Sequence, residues 1–239
     1  MSTNNDSPSP LKSGAIMECT PVLAGSNNAF RVRIVDESGQ VHNGIYKPER
    51  GERPLWDFPD GSLYRRERAA YLLAFVAGWE FIPVTVIRDG PYGIGSVQQM
   101  ISFQSPHGYF DLDASYSSQL WAIAVFDLVA NNADRKGGHC LLDDSSKVWS
   151  IDHGLTFHSD FKVRTVIWEF WGEDIPENIL RKLEELRVSL SVDIPEVQEL
   201  ESLISAEEFV ALQQRIDAVL DIGKHPMLDM YRNVPWPPY

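Results

Sequence analysis

The sequence has few cysteines, no long apolar run and little positive charge, and each shortage excludes a class of protein. Its two cysteines, Cys19 and Cys140, lie far apart and in no metal-ligand spacing, so a disulfide framework is not expected. No apolar run approaches the ~18 residues of a membrane-spanning helix. The formal net charge of -13 argues against a nucleic-acid partner, because duplex affinity comes mainly from Lys and Arg on phosphates.

The first residues also lack the apolar segment of a signal peptide. Residues 1–14, MSTNNDSPSPLKSG, are small and polar, and they predict a disordered tail. With so little cysteine, the chain is expected to be a soluble protein of the reducing cytoplasm. The hydrophobic fraction of 44% and the charged fraction of 23% are those of an ordinary globular protein.

The early part of the chain is rich in β-prone runs, and the later part is rich in helical patterns. Strands are predicted at 15–22, 30–35, 41–46, 83–87 and 94–100, with one helix at 63–77. Later helices are predicted at 117–130, 176–190 and 206–220. This order predicts an α+β fold with a five-stranded antiparallel N-lobe at 15–101 and a mainly helical C-lobe at 102–239.

The stretch at 131–158 concentrates the polar residues that carry chemistry. Two short apolar runs within it predict a β-hairpin, with an Asp-centred turn at each end. A hairpin brings its ends together, so Asp134, His139 and Asp152 are expected to face one another. Such convergence is typical of a phosphoryl-transfer centre, in which one carboxylate orients the attacking hydroxyl and the others hold Mg²⁺.

Lys47 and Glu67 form a second group of interest. Lys47 follows the third predicted strand, and Glu67 lies on the predicted helix that begins after Ser62, the expected N-cap. A strand lysine paired with a helix glutamate is the arrangement that holds a kinase lysine on the nucleotide phosphates. The ordinary alternative is a solvated lysine, which describes most lysines.

Two further segments are candidates for nucleotide contacts. The small, polar linker at 23–29 can offer backbone N–H groups to phosphate oxygens, although a plain hairpin turn explains it equally well. Its candidate residues are Ser26, Asn27 and Asn28. The end of the fifth strand is expected to be the hinge between the lobes, whose backbone forms hydrogen bonds to the edge of the adenine ring. The hinge residues are Gln99, Met100 and Ile101.

With these residues in place, the chain resembles the phosphatidylinositol 3- and 4-kinase-like branch of the protein-kinase superfold, which includes the HipA-type bacterial kinases. More closely, it is similar to a bacterial family related to those lipid kinases, whose hallmark is the string YKPERGERPLWDFPDGSLYRRE at 46–67. The resemblance covers about residues 15–160. It implies a bilobal protein-kinase-like fold and ATP-dependent phosphotransferase activity with Mg²⁺ or Mn²⁺.

The resemblance also implies roles for individual residues. Asp134 would be the catalytic aspartate that accepts or orients the proton of the nucleophile, and Asp152 would be the principal metal ligand. Lys47 would bind the nucleotide phosphates, with Glu67 as its partner.

The chain departs from the family pattern at two positions. His139 stands where the family has a metal-binding Asn, and an imidazole suits Mn²⁺ or Zn²⁺ better than Mg²⁺. Lys136 stands where the lipid-kinase pattern has His, and its charge can stabilise the transferring phosphoryl group.

Three functions remain open from the sequence. The first is an active kinase whose acceptor is a protein or a small molecule, because a lipid kinase usually needs a basic surface and this chain is acidic. The second is a nucleotide-binding pseudokinase, in which His139 weakens the metal site. The third is a metallohydrolase that uses His139, Asp152, His153 and His158 as ligands, and it leaves Lys47 without a role.

Overall fold

A computed structural model describes residues 9–22, 28–103 and 108–239 of the chain. The chain divides into two compact units. Unit 1 consists of Met1–Arg68 and Val84–Met100, and unit 2 consists of Ala69–Pro83 and Ile101–Tyr239.

Unit 1 contains a five-stranded antiparallel sheet in which the strands lie in the order β1-β2-β3-β5-β4. The strands are β1 (Ala15–Val22), β2 (Ala29–Val35), β3 (Val41–Pro48), β4 (Thr85–Gly90) and β5 (Gly93–Gln99). The five strands predicted from β-prone runs are all present. Strand β3 runs two residues further than the alternation predicts, so Lys47 lies within the strand.

The core of unit 1 is a cluster of buried side chains from the strands of this sheet and from the short segment before β1. Its fully or nearly fully buried members are Leu11, Val32, Ile34, Tyr46, Val86 and Val97. Alternate residues of β2 and β3 are buried, which is the pattern of strands with one face against a core. The apolar area that they bury stabilises the sheet that carries Lys47.

The expectation of a disordered tail at 1–14 is wrong for its last part. Pro10–Ser13 form a short helix, α1, with Pro10 in its first turn and Leu11 only 5% exposed. Leu11 supplies the apolar anchor, and Arg88 donates to the carbonyl oxygens of Leu11 (2.9 Å) and Gly14 (2.8 Å). A residue distant in the sequence therefore fixes this segment. Residues 1–8 lie outside the described part of the chain.

Unit 2 is mainly helical and contains one β-hairpin. Helix α2 (Leu63–Val76) spans the division between the units, and the hairpin consists of β6 (Cys140–Leu142) and β7 (Val148–Ser150). The other helices are α3 (Ser117–Val129), α4 (Glu177–Ser189), α5 (Pro195–Leu203) and α6 (Ala206–Ile222). Of the helices in the described residues, none is long and apolar enough to cross a bilayer.

Helix α5 has no counterpart among the predicted elements. It has only nine residues, and it buries Val197 and Leu200, which lie one turn apart. Pro195 in its first turn was the sequence signal for a helix start. A helix this short is marginal on its own, so its stability comes from packing in unit 2 rather than from its own sequence.

Helix α3 is buried on nearly all faces, as its apolar sequence predicts. Its Phe126 packs edge-on against Phe81 (5.6 Å between ring centroids) and Trp79 (6.1 Å). The helix also buries one charged side chain, Asp127, which is 1% exposed. A buried carboxylate needs a partner of opposite charge. The partner of Asp127 lies in the loop that follows the helix.

Candidate functional site

In unit 1, Lys47 and Glu67 lie side by side. Their side chains form an ion pair between strand β3 and the second turn of helix α2. The Glu67 side chain is 3% exposed and that of Lys47 is 26% exposed. An isolated buried carboxylate is strongly unfavourable, so Glu67 requires the Lys47 ammonium group as its counter-ion. The pairing fixes the Lys47 side chain in a partly exposed position.

The start of helix α2 is fixed by a residue that the sequence did not suggest. Glu52 accepts hydrogen bonds from the backbone N–H groups of Leu63 (3.1 Å) and Tyr64 (2.7 Å). Ser62, the expected N-cap, instead donates to the carbonyl oxygen of Pro59. Burial raises the pKa of Glu52, while these two hydrogen bonds oppose the rise. The loop before α2 therefore orients the helix that carries Glu67.

The polar linker before β2 is only partly described. Ser26 and Asn27 lie outside the described residues. Asn28 is described, and its backbone N–H donates to the carbonyl oxygen of Gly51 at 3.1 Å. This amide is therefore used within unit 1, where the sequence suggested a phosphate contact. Because the Asn28 amide already has an acceptor, the predicted phosphate contact now concerns only Ser26 and Asn27.

The hinge residues are partly committed to the sheet. Gln99 donates its backbone N–H to the carbonyl oxygen of Val84 (2.7 Å), and Met100 donates to that of Asn43 (3.0 Å). Ile101 is the first residue of the second segment of unit 2. Neither the Gln99 nor the Met100 amide is oriented as a free donor for an adenine edge.

In unit 2, the residues from 131 to 139, here called the Asp134 loop, follow helix α3. Asn131 has a left-handed φ of 54°, and Asn132 accepts a hydrogen bond on its Oδ1 from the N–H of Asp134 (3.0 Å). Asn131 and Asn132 are fully buried. An Asn tolerates this backbone conformation and can also pair with neighbouring backbone groups. The two asparagines thus shape the turn that presents Asp134.

Asp134 has a charged neighbour of each sign. The Lys136 ammonium lies 3.4 Å from the Asp134 carboxylate, whose side chain is 29% exposed. Burial raises the pKa of Asp134, the Lys136 charge opposes this rise, and the Asp152 carboxylate adds to it. The net effect is an upward shift. A carboxylate with a raised pKa is a better proton acceptor than an ordinary aspartate.

Asp152 and His139 lie together at the open end of the hairpin, where His139 precedes β6 and Asp152 follows β7. Nε2 of His139 is 3.3 Å from Oδ2 of Asp152, and the Asp152 side chain is 48% exposed. Asp152 also has a left-handed φ of 61°, a conformation that aspartate tolerates better than most residues other than glycine. Within the described residues, no group of three or more His, Cys, Asp and Glu side chains forms a metal-binding cluster.

Arg135 bridges the two strand ends at the open end of the hairpin, a role that the sequence pattern did not predict. Its side chain is fully buried and pairs with both carboxylate oxygens of Asp127, at 2.7 and 2.9 Å. The same guanidinium donates to the carbonyl oxygens of His139 (3.3 Å) and Ile151 (3.0 Å). Burial alone would lower the pKa of Arg135, but its pairing with the Asp127 carboxylate outweighs this effect, so the pKa is raised and the group stays charged.

The other two candidate histidines, His153 and His158, make hydrogen bonds within the fold. His153 is fully buried, its Nε2 lies 2.9 Å from Arg135 and 3.0 Å from Ser150, and its ring packs edge-on against Phe126. His158 accepts on Nδ1 from the N–H of Asp160 at 2.9 Å. His153 therefore belongs to the Arg135 network.

The Asp134 loop is held in place by the backbone of several distant segments. Ala133 donates to Leu155 (2.9 Å), and Arg135 donates to Arg164 (2.9 Å). Gly137 donates to the carbonyl oxygen of Pro238 at 2.8 Å. The Pro-rich segment near residue 238 is thus part of the support for this loop.

Gly137 also has a steric reason to be glycine. A Cβ atom there would lie 2.4 Å from Cε2 of Phe110, which is closer than carbon atoms can approach. Gly108 packs closely against the same turn, because a Cβ atom added there would lie 2.1 Å from the carbonyl oxygen of Gly137. At Gly138, an added Cβ would meet nothing within 4 Å. Only the first glycine of the pair is required by packing.

Comparisons with known proteins come from sequence and from structure. No family model matches the chain. Protein Rv2133c of Mycobacterium tuberculosis is 34% identical over 274 aligned residues, which cover 100% of this chain and 98% of that protein.

Two solved structures share the fold. Hydra Fam20, solved with a sugar, superposes with a TM-score of 0.54 at 14% identity, covering 89% of this chain and 85% of that one. The Helicobacter pylori proinflammatory kinase CtkA gives a TM-score of 0.52 at 12% identity, covering 90% and 94%. These likenesses confirm the expected α+β, kinase-like fold.

Proposed function

This chain belongs to the family of protein Rv2133c of Mycobacterium tuberculosis, and from its kinase-like fold we propose that it is an ATP-dependent phosphotransferase. The observation that carries the proposal is the Lys47–Glu67 ion pair of unit 1. A lysine fixed in this way presents a positive charge to nucleotide phosphates. A merely structural surface lysine would not need a carboxylate as deeply buried as Glu67.

Asp134 and Lys136 would act on the acceptor and on the group in transfer. The acceptor hydroxyl oxygen forms a bond to the γ-phosphorus of ATP, the bond from that phosphorus to the ADP oxygen breaks, and Asp134 takes the hydroxyl proton. The raised pKa of Asp134 suits this role. Lys136, 3.4 Å away, stabilises the charge on the transferring phosphoryl group.

Asp152 and His139 would hold a divalent cation. One carboxylate oxygen and one imidazole nitrogen at 3.3 Å, with the Asp152 side chain half exposed, fit a single metal ion that completes its coordination with other oxygen ligands. The mixed nitrogen and oxygen donors suit Mn²⁺ better than Mg²⁺. When bound, the ion supplies charge neutralisation at the β- and γ-phosphates.

The acceptor is proposed to be a protein or a small molecule. A net charge of -13 disfavours binding to an anionic membrane surface, where a phosphoinositide would be found. Membership in the phosphatidylinositol 3- and 4-kinase-like or HipA-type branch is proposed on the Asp134-Arg135-Lys136 and Asp152-His153-Gly154 motifs and on the string at 46–67.

A second candidate is a nucleotide-binding module without turnover. It is favoured by the His139 contact to Asp152, because the imidazole occupies one side of the carboxylate that would hold the metal. The two functions differ in a simple measurement. A phosphotransferase releases ADP from ATP with Mg²⁺ or Mn²⁺, whereas a binding module is stabilised by ATP against heat and releases none.

The test of the lysine uses Lys47→Met, with Lys224→Met as the control. Lys224 pairs with Asp174 at the surface, 3.0 Å away, and its side chain is 55% exposed. Lys47→Met is expected to raise the KM for ATP about tenfold or more, and Lys224→Met is expected to leave it unchanged. Equal KM values in the two variants would refute the assigned role of Lys47.

A further inference from the structure

A pocket of about 430 Å³ opens beside the Asp134 loop, within unit 2. Phe110 is part of its wall, and the same ring packs on Gly137, three residues after Asp134. A molecule in this pocket would therefore contact the Phe110 ring, which itself packs on the loop that carries the proposed proton acceptor.

Three aromatic side chains line part of the pocket. Phe110 and Trp168 expose 45% and 38% of their surface. Tyr109 completes this wall and meets Phe110 edge-on, with ring centroids 5.3 Å apart. Aromatic faces of this kind attract organic cations, because the face of the ring is electron-rich.

The charged groups of the pocket have one sign. Asp113 and Glu169 are carboxylates, and the described residues of the lining include no Lys, Arg or His. The Tyr109 hydroxyl donates to Oε2 of Glu169 at 2.5 Å and so fixes that carboxylate in the wall. Asp113 accepts from both the N–H and the hydroxyl of Ser115, which hold it in its ionised form.

We propose that this pocket binds the phosphoryl acceptor and selects one that carries an ammonium or guanidinium group near its hydroxyl. The inference rests on the phosphotransferase function proposed above and names its substrate class. Two carboxylates and three aromatic rings favour a cation, and the same carboxylates repel an acceptor whose nearest group is a phosphate.

The cation could belong to a basic side chain of a polypeptide or to a small hydroxylated amine, and matched probes separate these sources. One arm compares peptides that hold a central Ser flanked by Arg, by Gln or by Glu. The other arm compares glucosamine with glucose, which differ in the amino group. The arm with the higher kcat/KM identifies the source.

The decisive variant is Glu169→Lys, with Glu173→Lys as the matched control. Glu173 is exposed, lies four residues away and is not part of the pocket wall. Both variants change the net charge equally. In the intact protein, the cationic probe is expected to have at least a tenfold higher kcat/KM than its neutral counterpart. Glu169→Lys is expected to raise the KM for that probe about tenfold with an unchanged KM for ATP, and Glu173→Lys to change neither.

A second readout does not depend on turnover. Binding of a labelled Arg-flanked peptide is measured by fluorescence anisotropy without ATP, and it is expected to weaken in Glu169→Lys and with added salt. If peptide binding weakens in Glu169→Lys and with added salt, but neither the intact protein nor any variant transfers phosphate, the cation pocket stands and the phosphotransferase is refuted. If phosphate is transferred without regard to acceptor charge, or if Glu169→Lys and Glu173→Lys behave alike, the pocket is refuted and the phosphotransferase stands.

Discussion

At the scale of single residues, Asp134 depends on two neighbours of opposite charge. Burial makes its carboxylate harder to ionise, Lys136 makes ionisation easier, and Asp152 makes it harder again. The sequence drew attention to Asp134 and Asp152 through the predicted hairpin, and to Lys136 through the resemblance to kinases. The burial of Asp134 could not be inferred, because it depends on segments far away in the chain.

Removal of Lys136 should change the pH dependence of the reaction. Asp134 accepts a proton only when ionised, so activity falls as the pH drops through its pKa. Without the Lys136 charge, the pKa of Asp134 rises further, and the acidic limb of kcat/KM should move to higher pH. The profile of Lys136→Met is compared with that of Lys147→Met, whose ammonium lies over the Trp149 ring. A limb that stays in place or moves to lower pH would contradict the assignment.

At the scale of elements, helix α3 and the Asp134 loop are joined by the Asp127–Arg135 ion pair. The sequence predicted an apolar helix and a separate polar loop. The signal for their connection was the single charged residue of that helix, eight positions before Arg135. A charge in an otherwise buried helix requires a counter-ion. The choice of Arg135 over its charged neighbours Asp134 and Lys136 depends on which side chain the fold turns inward.

Asp127→Asn should destabilise the protein strongly. The change leaves a fully buried guanidinium without its counter-ion, which typically costs about 3–5 kcal/mol. The control is Asp217→Asn, because Asp217 pairs with Arg187 at the surface, where both side chains are more than half exposed. That variant should lose about 1 kcal/mol or less. Urea unfolding measures both, and a similar loss in the two variants would show that Arg135 does not depend on Asp127.

The two adjacent glycines offer a test of the Asp134 loop at the same scale. Gly137→Ala forces a methyl group against Phe110, and overpacking of this kind costs about 1–3 kcal/mol. Gly138→Ala has open space and should be nearly neutral in stability. Because the clash lies in the Asp134 loop, Gly137→Ala should also lower kcat. Thermal unfolding and ADP release are measured in both variants, and equal values would argue against the close packing of Phe110 on Gly137.

At the scale of the whole molecule, the sequence predicted the strand and helix order because hydrophobic periodicity is local. The five strands and the helices α2, α3, α4 and α6 lie within a few residues of their predicted bounds. What the sequence did not reveal depends on distant partners: α1 is fixed by Arg88, and the start of α2 is fixed by Glu52. The kinase-like fold was inferred from motifs, and it is confirmed by the shared fold of two solved structures.

The central claim, that this chain transfers phosphate from ATP to a hydroxyl whose proton Asp134 accepts, is tested most directly by ADP release in the intact protein and in Asp134→Asn. With Mg²⁺ or Mn²⁺, the intact protein should release ADP, and Asp134→Asn should do so about 10²–10⁴-fold more slowly. ATP should still raise the unfolding temperature of the variant, because the change leaves Lys47 in place. Equal rates in the two proteins, or thermal stabilisation of the intact protein by ATP without any ADP release, would contradict the account.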